Sequence, residues 1–167
     1  MKISGSQTLN MPRERAYALL HDPAVLARCM PGCESLEKIG EDEYAMRMKM
    51  ALASVSGLFQ GKVRTSEPNP PDSFRLLVEG TGKIGFMKGD GRLKLAGADS
   101  VTDLTFEGDV QVGGTIAAVG QRLIDTTAKM MIKRFFDTLA KEAGAAGAEE
   151  SHRTAAESAE DRGESKV

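Results

Sequence analysis

The chain has 167 residues, 41% of them apolar, with a formal charge of −2. A chain of this length buries a real core as one domain, its small net charge speaks against a nucleic-acid partner, and two cysteines are too few for a disulfide scaffold. No run approaches the roughly 18 consecutive apolar residues of a membrane span, and Met1-Lys2-Ile3-Ser4-Gly5-Ser6 lacks the apolar region of a signal peptide, so the expected compartment is the cytoplasm.

Residues 2–10 read as a first strand ending at Asn10, a good cap for a helix begun by Met11-Pro12-Arg13-Glu14 and running to about Leu20. Asp22-Pro23 opens a second short helix, which Pro31-Gly32 stops. Six further strands are predicted at about 34–39, 43–53, 57–67, 73–82, 86–96 and 101–112, separated by short turn-rich gaps that suit an antiparallel meander. Gly113-Gly114 then leads into a long amphipathic helix ending near Glu142, on which Ile116, Val119, Leu123, Ile124, Thr127, Met131, Phe135 and Leu139 recur at three- and four-residue steps. Residues 144–167 hold six acids against three bases and no apolar period, which reads as a disordered or weakly helical acidic tail after a domain of residues 1–143. The predicted class is α+β: a helix-grip fold in which a seven-stranded antiparallel sheet curves around the last helix, with two short helices between strands one and two.

Period-two alternation assigns an apolar inward face to the sheet. Met46, Met48 and Met50 lie opposite Arg47 and Lys49; Phe59 and Val63 lie opposite Gln60 and Lys62. Leu76 and Val78 face away from Arg75 and Glu79, and Phe106 and Val110 from Glu107 and Asp109. Glycines fall on the same face (Gly61, Gly80, Gly91, Gly108), and small residues Ala117, Gly120 and Ala128 thin the helix. Such a stripe either packs solidly on itself or, where glycine removes side chains and lets strands bend, encloses a cavity. The residues expected to line that cavity are the strand positions just named together with Gly120, Leu123, Ile124, Thr127, Met131 and Phe135.

At one end of the meander the loop from Gly82 to Gly89 carries Ile84, Phe86 and Met87 beside Lys83 and Lys88. That composition fits contact with a membrane surface or a partner, and fits equally a turn tucked back on its own core. Basic residues of the last helix, Arg122, Lys129, Lys133, Arg134 and Lys141, read as the wet side of an amphipathic helix or as a surface for anionic lipid.

Catalytic residues are not apparent. His21 sits in a helix connection and His152 in the tail, and Pro31-Gly32 between Cys29 and Cys33 prevents the two thiols from sharing a helix face. No nucleophile stands near a base, and no metal site is expected.

Three segments carry a family resemblance: Cys29-Met30-Pro31-Gly32-Cys33-Glu34-Ser35-Leu36-Glu37, Gly57-Leu58-Phe59-Gln60-Gly61-Lys62-Val63, and Val112-Gly113-Gly114-Thr115-Ile116-Ala117-Ala118-Val119-Gly120-Gln121-Arg122-Leu123-Ile124. In this order they resemble the CoxG family of carbon monoxide dehydrogenase subunits, within the START/Bet v 1-like (SRPBCC) superfamily, over about residues 1–143. The resemblance implies a helix-grip domain with an apolar cavity under the last helix. It also implies a non-catalytic accessory of a carbon monoxide dehydrogenase-type molybdenum hydroxylase, binding a respiratory quinone or lipid and linking the enzyme to the membrane. No covalent cofactor is implied. Two other readings stay open: a docking module with a filled core, and a small cyclase- or hydrolase-like enzyme, against which the lack of inward polar residues argues.

Overall fold

The computed structural model describes residues 1–97 and 99–164, with side chains through residue 142. Among these residues seven strands, β1 (Lys2–Leu9), β2 (Cys33–Gly40), β3 (Glu43–Leu52), β4 (Val55–Asn69), β5 (Ser73–Gly82), β6 (Gly85–Ala96) and β7 (Thr102–Gly113), form one antiparallel sheet in the order β1-β7-β6-β5-β4-β3-β2. Helices α1 (Arg13–Leu20) and α2 (Pro23–Cys29) connect β1 to β2, and α3 (Gln121–Glu164) follows β7 through a 3₁₀ turn at Thr115–Val119. This is the helix-grip α+β architecture that the alternating segments and the terminal helical period predict.

Local chemistry explains most boundaries. The Asp22 side chain accepts from Ala24 N–H at 3.0 Å and Pro23 occupies the first helical position, so α2 begins where its cap and fixed φ require. It ends in a Met30-Pro31-Gly32-Cys33 turn closed by Cys33 N–H donating to Met30 O at 3.1 Å. Gly32 has φ +81°, and a Cβ there would stand 2.2 Å from Lys49 O, so proline then glycine gives a type II turn pressed onto the β3 backbone.

Two expectations need correction. Asn10 does not cap α1: the cap position is Pro12, without a side-chain bond, because Met11 is buried in the core and its carbonyl accepts from Thr102 Oγ1 at 2.7 Å. The last helix begins at Gln121 and not after Gly114, since Gly120 takes φ +101° and interrupts the helix, so Ile116 and Val119 belong to the 3₁₀ turn. Helix α3 runs on past residue 144 into the acidic segment expected to be disordered or weakly helical. The side chains there, His152 included, lie outside the described residues.

Curvature comes from two glycine pairs that face each other across strands, Gly61↔Gly80 and Gly91↔Gly108. A Cβ on Gly61 would stand 1.8 Å from Glu79 O, and one on Gly108 would stand 2.8 Å from Asp90 O, so neighbouring strands approach more closely than any side chain allows.

The core divides into three clusters around the concave face. One end is filled by Leu9, Ala16, Leu20, Phe74, Leu104, Phe136 and Leu139. The opposite end is closed by Leu52, Phe59, Ile116 and Ile124, and the flank beneath α2 by Leu26, Leu36, Met46, Met48 and Val63. Arg28 and Glu142 form a two-bond ion pair (2.8 and 2.9 Å) that ties α2 to α3 beyond the last packed turn.

Candidate functional site

Between these clusters the sheet and α3 stand apart except where Met131 and Phe135 reach the flank cluster. They enclose a chamber of about 340 Å³, within the ordinary range of ligand pockets. The inward ladders explain the gap: Val63↔Val78↔Gly89↔Val110 lacks one side chain and Leu76↔Gly91↔Gly108 lacks two. Where glycine stands inward, the wall is the backbone of the neighbours Asp90, Arg92, Glu107 and Asp109, whose side chains strand alternation turns to the outer face. There Arg75 holds Asp90 (2.8 and 2.5 Å) and Arg92 meets Glu67 at 3.0 Å.

Of the strand residues expected to line a cavity, Met46, Met48, Met50, Val63, Leu76, Val78, Phe106 and Val110 do so; from α3, Ile124, Thr127, Met131 and Phe135 do. Three do not. Phe59 is fully buried in the cluster that closes one end, Leu123 packs against that cluster, and Gly120 sits at the break before α3 with open space where a Cβ would stand. The wall also includes residues that the sequence reading passed over: Ile3 on β1, Leu20 and Leu26 of the short helices, Met30 and Pro31 of the type II turn, and Ile132 and Phe136 on α3. Ile132 and Phe136 follow Ala128 at four-residue steps, so the helical period carried that signal.

The expected Gly82–Gly89 loop is a two-residue turn, Lys83-Ile84, closed by the Gly82↔Gly85 pair with Gly85 at φ +132°. Met87 is therefore a strand residue facing the chamber, and Phe86 and Lys88 face outward. Ile84 tucks back, its carbonyl accepting from Ile116 N–H at 2.7 Å and its side chain packed in the end cluster. Phe86 stays 40% exposed, its ring lying over the bare Cα of Gly113, its cross-strand partner.

Neither cysteine nor His21 is among the residues that line the chamber. Burial pushes the Cys29 thiol up to about 11, the nearby Glu142 charge adding to this and Arg28 opposing it. Burial also raises Cys33, with the backbone of Ser35 opposing this in part. Thiols held protonated in this way are not nucleophiles. The His21 ring lies between Tyr17 (centroids 4.3 Å apart) and Phe74 (4.4 Å), its Nδ1 2.8 Å from Tyr17 O, which is a packing role. Among the described residues no three His, Cys, Asp or Glu side chains converge as a metal site would require, and no helix is long and apolar enough to cross a membrane.

Residues 5–144 match the model of CoxG, a family described as a subunit of carbon monoxide dehydrogenase. A conserved protein from Geobacillus kaustophilus, known by its crystal structure, is 36% identical, with a TM-score of 0.83 over 87% of this chain and 96% of that one. A START superfamily protein from Mycobacterium smegmatis (13% identity, TM-score 0.66, 84% and 95% covered) shares the fold. So does the Zhui aromatase/cyclase from a Streptomyces species (14% identity, TM-score 0.64, 86% and 93% covered). No curated protein matches the chain.

Proposed function

The chain belongs to the CoxG family of carbon monoxide dehydrogenase subunits, and we propose that it serves a dehydrogenase of that type as an accessory that shelters a lipophilic molecule, a respiratory quinone or lipid, in the chamber under α3. The observation that carries this reading is the chamber itself, about 340 Å³ walled almost wholly by methionine, aliphatic and aromatic side chains. Thioether side chains adapt to a guest of irregular shape, and burying an isoprenoid tail at ~25 cal/mol per Å² supports micromolar binding without a charged anchor. A docking protein with a filled core would have no use for Gly89, Gly91 and Gly108, which thin the chamber wall. An enzyme of the cyclase or hydrolase kind would need inward acids, bases or activated nucleophiles, and among the described residues the lining offers only the Thr127 hydroxyl, with no inward base beside it.

For the membrane link the reading relies on Phe86, exposed with Lys83 and Lys88 nearby, as a peripheral contact. The test is native mass spectrometry of the purified protein, followed by extraction and identification of any bound lipid. A co-purifying quinone or neutral lipid supports the proposal; a ligand-free protein that also fails to take up quinone in titration refutes it. Flotation with anionic vesicles, lost in Phe86→Ser, checks the membrane contact separately.

A further inference from the structure

Thr127 is the single lining residue of the chamber, among those described, whose side chain carries a hydrogen-bonding group and is not turned outward by strand alternation. A threonine inside a helix ordinarily satisfies its hydroxyl on the carbonyl four residues back. Its neighbour Thr126 does this, donating to Arg122 O at 2.9 Å. Thr127 makes no such bond and no other hydrogen bond with the described residues. The Thr127 side chain is half-buried and its oxygen is still open to the chamber, so a guest that seals it from water must bring an oxygen of its own or leave it unpaired at a cost.

The chamber's charges point to the class of that oxygen. Arg92 is engaged by Glu67 on the outer face, Arg75 by Asp90, and no cation among the described residues lines the inner wall. A buried carboxylate or phosphate would therefore go uncompensated. Resting on the lipophile reading above, we infer that Thr127 is the chamber's specificity determinant. Its hydroxyl donates to a carbonyl or hydroxyl oxygen of an uncharged lipid, so the site accepts neutral oxygenated lipophiles and rejects fatty-acid anions.

Displacement of a bound fluorescent probe by tridecanone, tridecane and tridecanoate at neutral pH tests this on the full chain. Thr127→Val, equal in shape, is expected to weaken tridecanone about fivefold, the worth of one neutral hydrogen bond, and to leave tridecane unchanged. Thr127→Ser, which keeps the hydroxyl, is expected to hold tridecanone within about twofold of wild type, since the donor and not the methyl makes the contact. Equal effects of Thr127→Val on ketone and alkane, or none on either, overturn the inference while alkane binding leaves the lipophile reading intact. Tridecanoate binding as tightly as tridecanone also overturns it. Failure of all three compounds to bind overturns both.

Discussion

Helix α3 crosses two regions of one sheet and treats them differently. Toward Leu139 it meets Leu9 and Leu104, and the space is filled; around Thr127 to Met131 it spans a gap. The helix supplies large apolar residues to both regions, so the difference lies in the sheet. Its packed end presents Leu95↔Leu104, and Phe74↔Leu93↔Phe106 forms the border where bulk ends the chamber, whereas the ladders beyond it contain glycine. Side-chain volume subtracted from three or four inward positions is enough to turn a core into a container.

The largest expected contrast is in stability. Leu104→Ala, at a fully buried position of the packed end, should cost about 3 kcal/mol in urea unfolding, because it cuts a cavity into dense packing. Met131→Ala, at a residue already bordering empty space, should cost under about 1 kcal/mol by the same reasoning. Equal losses would mean that the two regions are packed alike.

Next comes a pair of glycines. Gly61→Ala drives a Cβ into Glu79 O and should destabilise by about 2 kcal/mol, as an overpacked site does. Gly89→Ala meets only Val78 Cβ at 3.9 Å and Val110 Cγ2 at 4.0 Å, and should stay within about 0.5 kcal/mol of wild type. If both were tolerated, glycine would not be what bends the sheet.

Thiol access gives a kinetic version of the same contrast. Cys29, 1% exposed with its thiol pushed up to about 11, should react with a lipophilic maleimide only as fast as the packed end opens. A cysteine placed in the chamber by Met131→Cys, in a Cys33→Ser background, should react much faster. Comparable rates would put the two regions on one footing.

The smallest effect concerns the Arg28–Glu142 pair. Its hydrogen bonds to Arg28 hold the Glu142 carboxyl below the usual carboxylate range. The folded chain thus keeps that charge further into acid than the unfolded chain does, and the pair's contribution is complete at neutral pH and lost as pH falls through the lowered value. Glu142→Gln should be slightly less stable than wild type at neutral pH, with the gap closing in acid; a pH-independent gap would show that packing, not charge, is at stake.

The sheet and its inward face were legible because alternation is a strictly local signal: Met46 to Met50 announce their side with no knowledge of the fold. What escaped was set by pairing and by backbone angle. Phe86, Met87 and Lys88 read both as the start of a strand and as part of a glycine-flanked loop, and only the Gly80↔Met87 register turns Met87 inward. Phe59 alternates correctly yet sits at the closing plug, because position along a strand, not face, separates lining from stopper. The break at Gly120 depends on one positive φ that its Gly-Gln-Arg context does not reveal. Pro31 and Met30 reached the wall through a turn, Leu20 and Leu26 through helix placement, neither of which a strand period encodes.

One titration reaches the central claim directly. Decylubiquinone added to the wild-type protein and to Gly89→Leu, which fills the chamber where a Cβ has room, should bind the first saturably at one site and the second at least tenfold more weakly, with both folded by circular dichroism. Equal binding to both, or to neither, would contradict an account in which the hollow under α3 holds a lipophilic guest.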